Sequence, residues 1–292
     1  MKDYLIRGVD DTHNTRFFAC DITSLTNVAR EKHGLWPCAS AALGRMMAAT
    51  LMLAANNKNN EKMTVTINGG GPIGTMIAST NSDGKIKAFV ANPQVHYVYN
   101  DTDKLAVGIC VGTNGTLQVI KDMGLKEPIV STVPLQTGEI GDDFAYFFMD
   151  SEQVPSVVSL GVLVGEDNTV LSAGGYIIQL LPEATEDDIV YLEEKLKDFP
   201  AVSSLIHEGK TSEEIISMIL PEGEVLEKQE LSFECDCSRE RMMSALMTIH
   251  TDELQDMIDK DHGCEITCQF CNTHYHFNED ELKEIIEMKN KG

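Results

Sequence analysis

The stretch Cys235-Asp236-Cys237, followed after residues 238–267 by Cys268-Gln269-Phe270-Cys271, puts two close pairs of soft sulfur donors into one short segment. Four thiolates are a sufficient ligand set for one tetrahedral Zn²⁺, and the same sulfurs could instead close into two disulfides. A metal clip and a redox switch are therefore both open at this point. The C-x-x-C half is ordinary for zinc, because such a turn aims two thiolates at one ion. The C-x-C half is tighter than the usual spacing of two to four residues, which favours a specialised use.

Working outward, the chain has 292 residues, a hydrophobic fraction of 42% and a net charge of −23 from 46 acidic against 23 basic residues. That length allows one sizeable core and a smaller domain. The acidity argues against a broad phosphate-binding surface, so neither nucleic acid nor an anionic membrane is an expected partner. Met1-Lys2-Asp3-Tyr4 carries no apolar signal segment, and the longest apolar run, Cys38 to Ala55, is interrupted by Gly44 and Arg45. A cytoplasmic location is the expectation. Cytosolic thiols are normally kept reduced, so eight cysteines need a reason other than a disulfide scaffold. Five of the eight fall between Cys235 and Cys271; Cys20, Cys38 and Cys110 lie in apolar surroundings and read as buried packing.

Taken in order, Tyr4–Val9 and Arg16–Ile22 read as a hairpin, Leu25–Lys32 as a helix, and Ala39–Ala55 as a helix buried on most faces, ended by polar residues 56–60. Met63, Val65 and Ile67 alternate with threonines as in a half-buried strand, and strands are expected again at Thr75–Thr80 and Lys85–Val90. The glycines Gly69 to Gly74 contain a formal G-x-G-x-x-G. Pro72 sits inside it and a strand follows, so it reads as a tight turn and not a dinucleotide site. More short strands are expected between Leu105 and Pro134, a helix over Asp142–Gln153, and strands at Val157–Val164 and Val170–Ala173. Gly174-Gly175 is expected to break the chain before a last strand, Tyr176–Leu181. Short turns between most strands predict an α+β domain.

After Pro182 the chain becomes acidic, with helical stripes Ile189/Leu192/Leu196 and Ile215/Ile216/Ile219, the second behind a Thr211-Ser212 cap. Helices this short must lean on a neighbouring domain. From Leu231 on, Ser238 is a candidate cap for a helix reaching Ile249, Asp252 begins another to Ile258, and Asn278 with Glu281 forms a capping box. Glu265–Thr267 and Thr273–Phe277 flank the Cys268/Cys271 turn as a small hairpin. His274 and His276 are expected to put one ring into packing and one toward solvent, and Cys264 remains a fifth thiol outside the symmetric set. The expected organisation is an N-terminal mixed α/β core domain at 1–181, a helical, metastable linker at 182–230 and a small zinc-binding redox-switch domain at 231–292.

A segment of about sixty residues gains only about 3–5 kcal/mol from its core, whereas structural Zn²⁺ contributes roughly 10–16 kcal/mol. The metal would then decide whether the segment folds. Oxidation of the thiolates would eject it and unfold the segment.

The arrangement C-x-C, residues 238–267, C-x-x-C resembles the redox-regulated holdase chaperone family, the 33 kDa heat-shock chaperonins. Gly71-Pro72-Ile73-Gly74, Asn92-Pro93, Gly138-Glu139-Ile140, Ser151-Glu152-Gln153, Leu160 to Val164, Ala173-Gly174-Gly175 and Gln179 to Pro182 resemble that family's N-terminal domain. Tyr275-His276-Phe277 after the C-x-x-C resembles its zinc domain. The resemblance implies an ATP-independent holdase, not an enzyme, that is inactive when reduced and zinc-bound and activated by oxidants. It implies Cys235, Cys237, Cys268 and Cys271 as zinc ligands and redox cysteines, with disulfides Cys235–Cys237 and Cys268–Cys271. Unfolding client proteins would be the partners, with a homodimer on activation. Two other classes fit less well. A thiol-disulfide oxidoreductase at Cys268/Cys271 lacks a thioredoxin-like βαβ context, and a zinc ribbon for nucleic acid conflicts with the acidity. The chain has no H-E-x-x-H, G-x-S-x-G or G-x-x-x-x-G-K-[ST], and so no signature of hydrolase or nucleotide-driven chemistry.

Overall fold

A computed structural model of the chain describes residues 2–56, 61–99, 102 and 104–291. It divides into two compact units, the first ending at Glu234 and the second running from Cys235.

The first unit opens with the expected hairpin, β1 (Tyr4–Asp10) and β2 (Thr15–Asp21), followed by α1 (Thr23–His33) and α2 (Pro37–Ala54). Pro37 occupies the first turn of α2, where its missing N–H costs nothing. The helix ends at Ala54; of the polar run expected to end it, residues 57–60 lie outside the described residues. Next come β3 (Lys62–Asn68), β4 (Met76–Asn81), β5 (Lys85–Val90), α3 (Val107–Val111), β6 (Thr116–Asp122), β7 (Ile129–Pro134), α4 (Gly141–Asp150), β8 (Ser156–Val164) and β9 (Val170–Leu180). The remainder is α5 (Glu186–Leu196), α6 (Val202–His207), α7 (Ser212–Ile219), β10 (Glu224–Glu230) and β11 (Ser232–Phe233).

Two sheets result, one of five strands in the order β10-β1-β2-β9-β8 and one of six in the order β11-β5-β4-β3-β6-β7. Helix α2 packs on β8 and β9 of the first sheet and on β4 and β5 of the second. That placement explains its sequence. Cys38, Ala39, Ala41, Ala42, Leu43, Met46, Met47, Ala48 and Ala49 are all fully buried, because a helix between two sheets has almost no solvent face. Its 18 residues are apolar enough by composition to cross a bilayer, and 83% of that window is buried within the protein.

Three expectations need correction. Gly174-Gly175 does not break the chain: β9 runs unbroken from Val170 to Leu180, pairing with β2 and β8. The glycines are there for close approach, since a Cβ at Gly174 would lie 2.2 Å from the carbonyl oxygen of Cys20 and one at Gly175 2.5 Å from that of Ser159. The stretch after Leu105 was read as strands only, yet it begins with helix α3. The helix expected over Asp142–Gln153 ends at Asp150, with Gln153 at φ 55° in the left-handed region. Gly69 to Gly74 is the structural turn it was read to be. Gly71 N–H bonds to Val111 O (2.9 Å), Ile73 N–H to Cys110 O (3.1 Å), and β4 follows.

The acidic stretch after Pro182 packs a second apolar cluster on the five-stranded sheet. Leu192 of α5, Val202 and Leu205 of α6, and Ile215, Ile216 and Ile219 of α7 join Tyr4, Ile6, Phe17, Ala19, Tyr176 and Ile178. Thr211 caps α7 as read, accepting from Glu214 N–H while the Glu214 carboxylate accepts from Thr211 N–H. The last seven residues of the stretch are β10, antiparallel to β1.

The second unit contains α8 (Arg239–Leu246), α9 (Thr251–Asp261), the hairpin β12 (Gly263–Thr267) and β13 (His274–Asn278), and α10 (Glu279–Lys291). Ser238 caps α8, and Asn278 with Glu281 forms the expected box on α10, each accepting the other's backbone N–H at 3.0 and 2.9 Å. Its core is small: Leu246, Leu254, Ile258, Phe277, Leu282 and Ile285 are its buried members.

Candidate metal and redox centre

Cys235 and Cys237 lie just ahead of α8. Their segment is held by Arg241, which donates to the Asp236 carbonyl oxygen (3.0 Å) and pairs with the Asp236 carboxylate. Cys268 and Cys271 lie on the turn joining β12 to β13. Cys268 N–H bonds to Thr273 O (2.9 Å), and Asn272 N–H to Cys268 O (2.8 Å), with Asn272 at φ 56°. Asparagine tolerates that left-handed conformation better than most residues, which lets the turn close within so few residues.

The four sulfurs meet. Sγ atoms of Cys235, Cys237, Cys268 and Cys271 all lie within 4.8 Å of one another, with Cys237 3.4 Å from Cys271 and Cys235 3.7 Å from Cys268. A tetrahedron of sulfurs each about 2.3 Å from a central Zn²⁺ has edges of about 3.8 Å, so the set fits one ion. These four cysteines could hold a metal ion. Cys268 is buried and the other three are half-buried, leaving the cluster accessible to small solutes.

Hydroxyl groups contact the sulfurs. The Tyr275 hydroxyl donates to Cys237 Sγ (3.1 Å), and the Thr273 hydroxyl lies 3.2 Å from Cys271 Sγ. Burial pushes the Cys235 and Cys268 thiols up. At Cys271 burial acts the same way, but the hydrogen bonds from Thr273, Cys237 and Cys268 outweigh it and bring the thiol down to about 7. The Tyr275 hydroxyl, bonded to Cys237, is pushed up to about 12. Neither Thr273 nor Tyr275 was singled out from the sequence. The signal was there: period two along a strand puts residues 273, 275 and 277 on one face, and Phe277 is in the core.

The same periodicity corrects the histidine reading. His274 and His276 are two apart, so they share the opposite face, where both are exposed and both pair with Glu265, at 2.8 and 3.1 Å. Cys264 is outside the sulfur cluster. It sits on β12 opposite Phe277, half-buried against the small core, and burial raises its thiol.

Residues 3–278 match the family model described as Hsp33 protein. This chain belongs to the Hsp33 family. The 33 kDa chaperonin of Bacillus subtilis (strain 168) is 46% identical over 287 residues, covering 98% of this chain and 99% of that protein. That of Geobacillus sp. (strain WCH70) is 44% identical over 295 residues, covering 99% and 100%. A solved structure of a 33 kDa chaperonin, a heat shock protein 33 homologue from Thermotoga maritima, superposes with a TM-score of 0.93 at 34% identity over 100% of both chains. Hsp33 proteins are chaperones, so membership supports a chaperone function and the binding of unfolded proteins.

Proposed function

We propose that this chain is a redox-regulated, ATP-independent holdase that protects unfolding and oxidatively damaged proteins from aggregation in the cytoplasm. The observation that carries the reading is the convergence of four sulfurs in a unit whose buried core is so small. Cys235, Cys237, Cys268 and Cys271 would hold Zn²⁺ as thiolates, and the ion would supply the cross-link between residues 235–237 and the β12–β13 turn. Each pair can deliver two electrons to hydrogen peroxide, which takes up two protons and leaves as two waters per disulfide, forming Cys235–Cys237 and Cys268–Cys271. The sulfurs lose their negative charge in that step, and with it their hold on the ion.

Pairing within each motif matters to the mechanism. Local disulfides close very short loops and leave the two halves of the cluster unlinked, whereas crossed ones would staple the unit shut. In the reduced cluster sulfurs also approach across the pairs, Cys237 to Cys271 at 3.4 Å and Cys235 to Cys268 at 3.7 Å. The local pairing therefore rests on the family resemblance and is decided by peptide mapping.

Residues 182–230 serve as the metastable linker in this reading, between the core domain at 1–181 and the switch domain at 231–292. Its helices are short, and they cover Tyr4, Ile6, Phe17, Tyr176 and Ile178 on the five-stranded sheet. Their release would uncover a continuous apolar face of the kind that binds unfolded chains, and the activated form would associate as a homodimer through similarly exposed surface. The protein transforms no substrate and engages neither nucleic acid nor membrane.

The test is light scattering from a heat-unfolding client with reduced and with peroxide-treated protein, alongside zinc and thiol counts. Expected are suppression by the oxidised form alone, and loss of one zinc together with four protected thiols. Equal scattering with both forms, or zinc retained after disulfide formation, overturns the reading.

A further inference from the structure

A cleft of about 240 Å³ in the first unit is walled by both sheets and by the ends of two helices. Arg16 of β2 and Gln179 of β9 come from the five-stranded sheet and Lys121 of β6 from the six-stranded one, while Leu53 and Phe148 lie in the last turns of α2 and α4 and Glu152 just past α4. Its charges do not balance. Lys121 donates to both carboxylate oxygens of Glu152 (3.0 and 3.1 Å), and these two side chains are only 26% and 30% exposed. Arg16 adds a second cation and no second carboxylate. Among the described residues its one partner is Gln179, whose Oε1 accepts from Arg16 Nε at 2.8 Å.

That bond orients the guanidinium. Gln179 is a buried amide, 3% exposed, and its Nε2 donates to Ser156 Oγ (2.9 Å), whose hydroxyl donates in turn to Val154 O (2.9 Å). The relay fixes which way the amide points, and so which edge of Arg16 it holds. Both Nη nitrogens are left without an acceptor among the described residues. Arg16 shares a face of β2 with Phe18 and Cys20, which belong to the main core, and burial pulls its guanidinium down against the attraction of Glu152. A partly desolvated, pre-oriented cation is unfavourable when unpaired. In a chain of net charge −23 no described carboxylate pairs with it.

We propose that this cleft binds a small monocarboxylate, with its carboxylate on the two Arg16 Nη nitrogens and its short apolar stem against Leu53 and Phe148. The planar fork suits a carboxylate, which can accept two parallel N–H···O bonds from it. Two cations less the Glu152 carboxylate leave one net positive charge, which matches a monoanion. Lys121 holds Glu152 by both oxygens and so keeps it from closing the fork. The volume holds only about eight waters, so the occupant is a free small acid and not the end of a polypeptide. No cysteine lines the cleft, and the inference stands apart from the redox reading of the second unit.

Reduced, zinc-loaded full-length protein is titrated with sodium propionate, sodium chloride holding the ionic strength constant, and binding is read by saturation transfer to the propionate methyl group. In heteronuclear NMR the Arg16 Nε–H resonance, the one missing from Arg16→Lys, is expected to shift saturably, and inorganic phosphate at equal concentration to move it less. Arg16→Lys keeps the charge and loses the fork, and should weaken propionate binding by about tenfold or more. Glu152→Gln removes the competing carboxylate and should tighten binding several-fold, which tests the same cleft should Arg16→Lys not fold. A response that does not saturate or that chloride reproduces overturns the proposal. So does unchanged affinity in Arg16→Lys, unchanged or weaker binding in Glu152→Gln, or a larger response to phosphate. Tighter binding of N-acetyl-alanyl-alanine than of propionate also overturns it, because the occupant would then be a chain terminus.

Discussion

The two units solve the same problem with different materials. The first wraps two sheets around one buried helix, so that its interior continues unbroken from Leu5 through Met47 to Ile177. The second buries Leu246, Leu254, Ile258, Phe277, Leu282 and Ile285 and then brings four sulfurs to one point. Fully burying an aliphatic side chain is worth about 1.5–3 kcal/mol, and fixing each residue's backbone costs about 1–2 kcal/mol. So few buried side chains fall well short of the ordering cost of the unit that begins at Cys235, which leaves it dependent on a cross-link. In the proposed reading the second unit depends on chemistry that an oxidant reverses, and the first does not.

The hardest blow to this contrast is Cys268→Ser. It removes the buried ligand, and the second unit is expected to lose most of the roughly 10–16 kcal/mol that structural zinc supplies and to unfold, while the first keeps its melting transition. Limited proteolysis and heteronuclear NMR read the two units separately; a second unit that stays folded without metal breaks the comparison. Leu43→Ala is the converse probe. Leu43 is fully buried in α2, and truncation is expected to cost about 2–5 kcal/mol in the first unit alone. Calorimetry should show the main transition falling while zinc content holds; zinc lost in parallel would mean that the units are not independent. The mildest change, Tyr275→Phe, keeps the ring and deletes the bond to Cys237 Sγ. A hydrogen bond to a charged group is worth about 1.5–3 kcal/mol. Zinc release to a chromogenic chelator under peroxide should speed up several-fold, with the first unit's transition unmoved; an unchanged rate would show that the hydroxyl does not support the thiolate.

Much of the fold was legible locally. The β1–β2 hairpin, α2, β3 to β5, the caps at Thr211, Ser238 and Asn278, and the hairpin carrying Cys268 and Cys271 follow from periodicity and capping chemistry, which act within a few residues. The failures are equally physical. Gly174-Gly175 looked like a break because a glycine pair is a turn signal in isolation; only the carbonyls of Cys20 and Ser159, brought against it by neighbouring strands, turn it into a requirement for a small residue. The histidine reading failed on periodicity alone and could have been made correctly from the sequence.

At the cluster, the residue types and spacing by themselves determined that four sulfurs were available for one ion, because the C-x-C and C-x-x-C segments hold their pairs close whatever surrounds them. Tertiary structure decided that the two pairs converge, that Cys264 stays apart and that Tyr275 and Thr273 approach the sulfurs. It also decided that β10 closes against β1 from the far end of the unit. Contacts between residues so far apart in the chain depend on how the sheets and α2 pack together. No local pattern encodes that, whereas ligand identity and strand periodicity are written residue by residue.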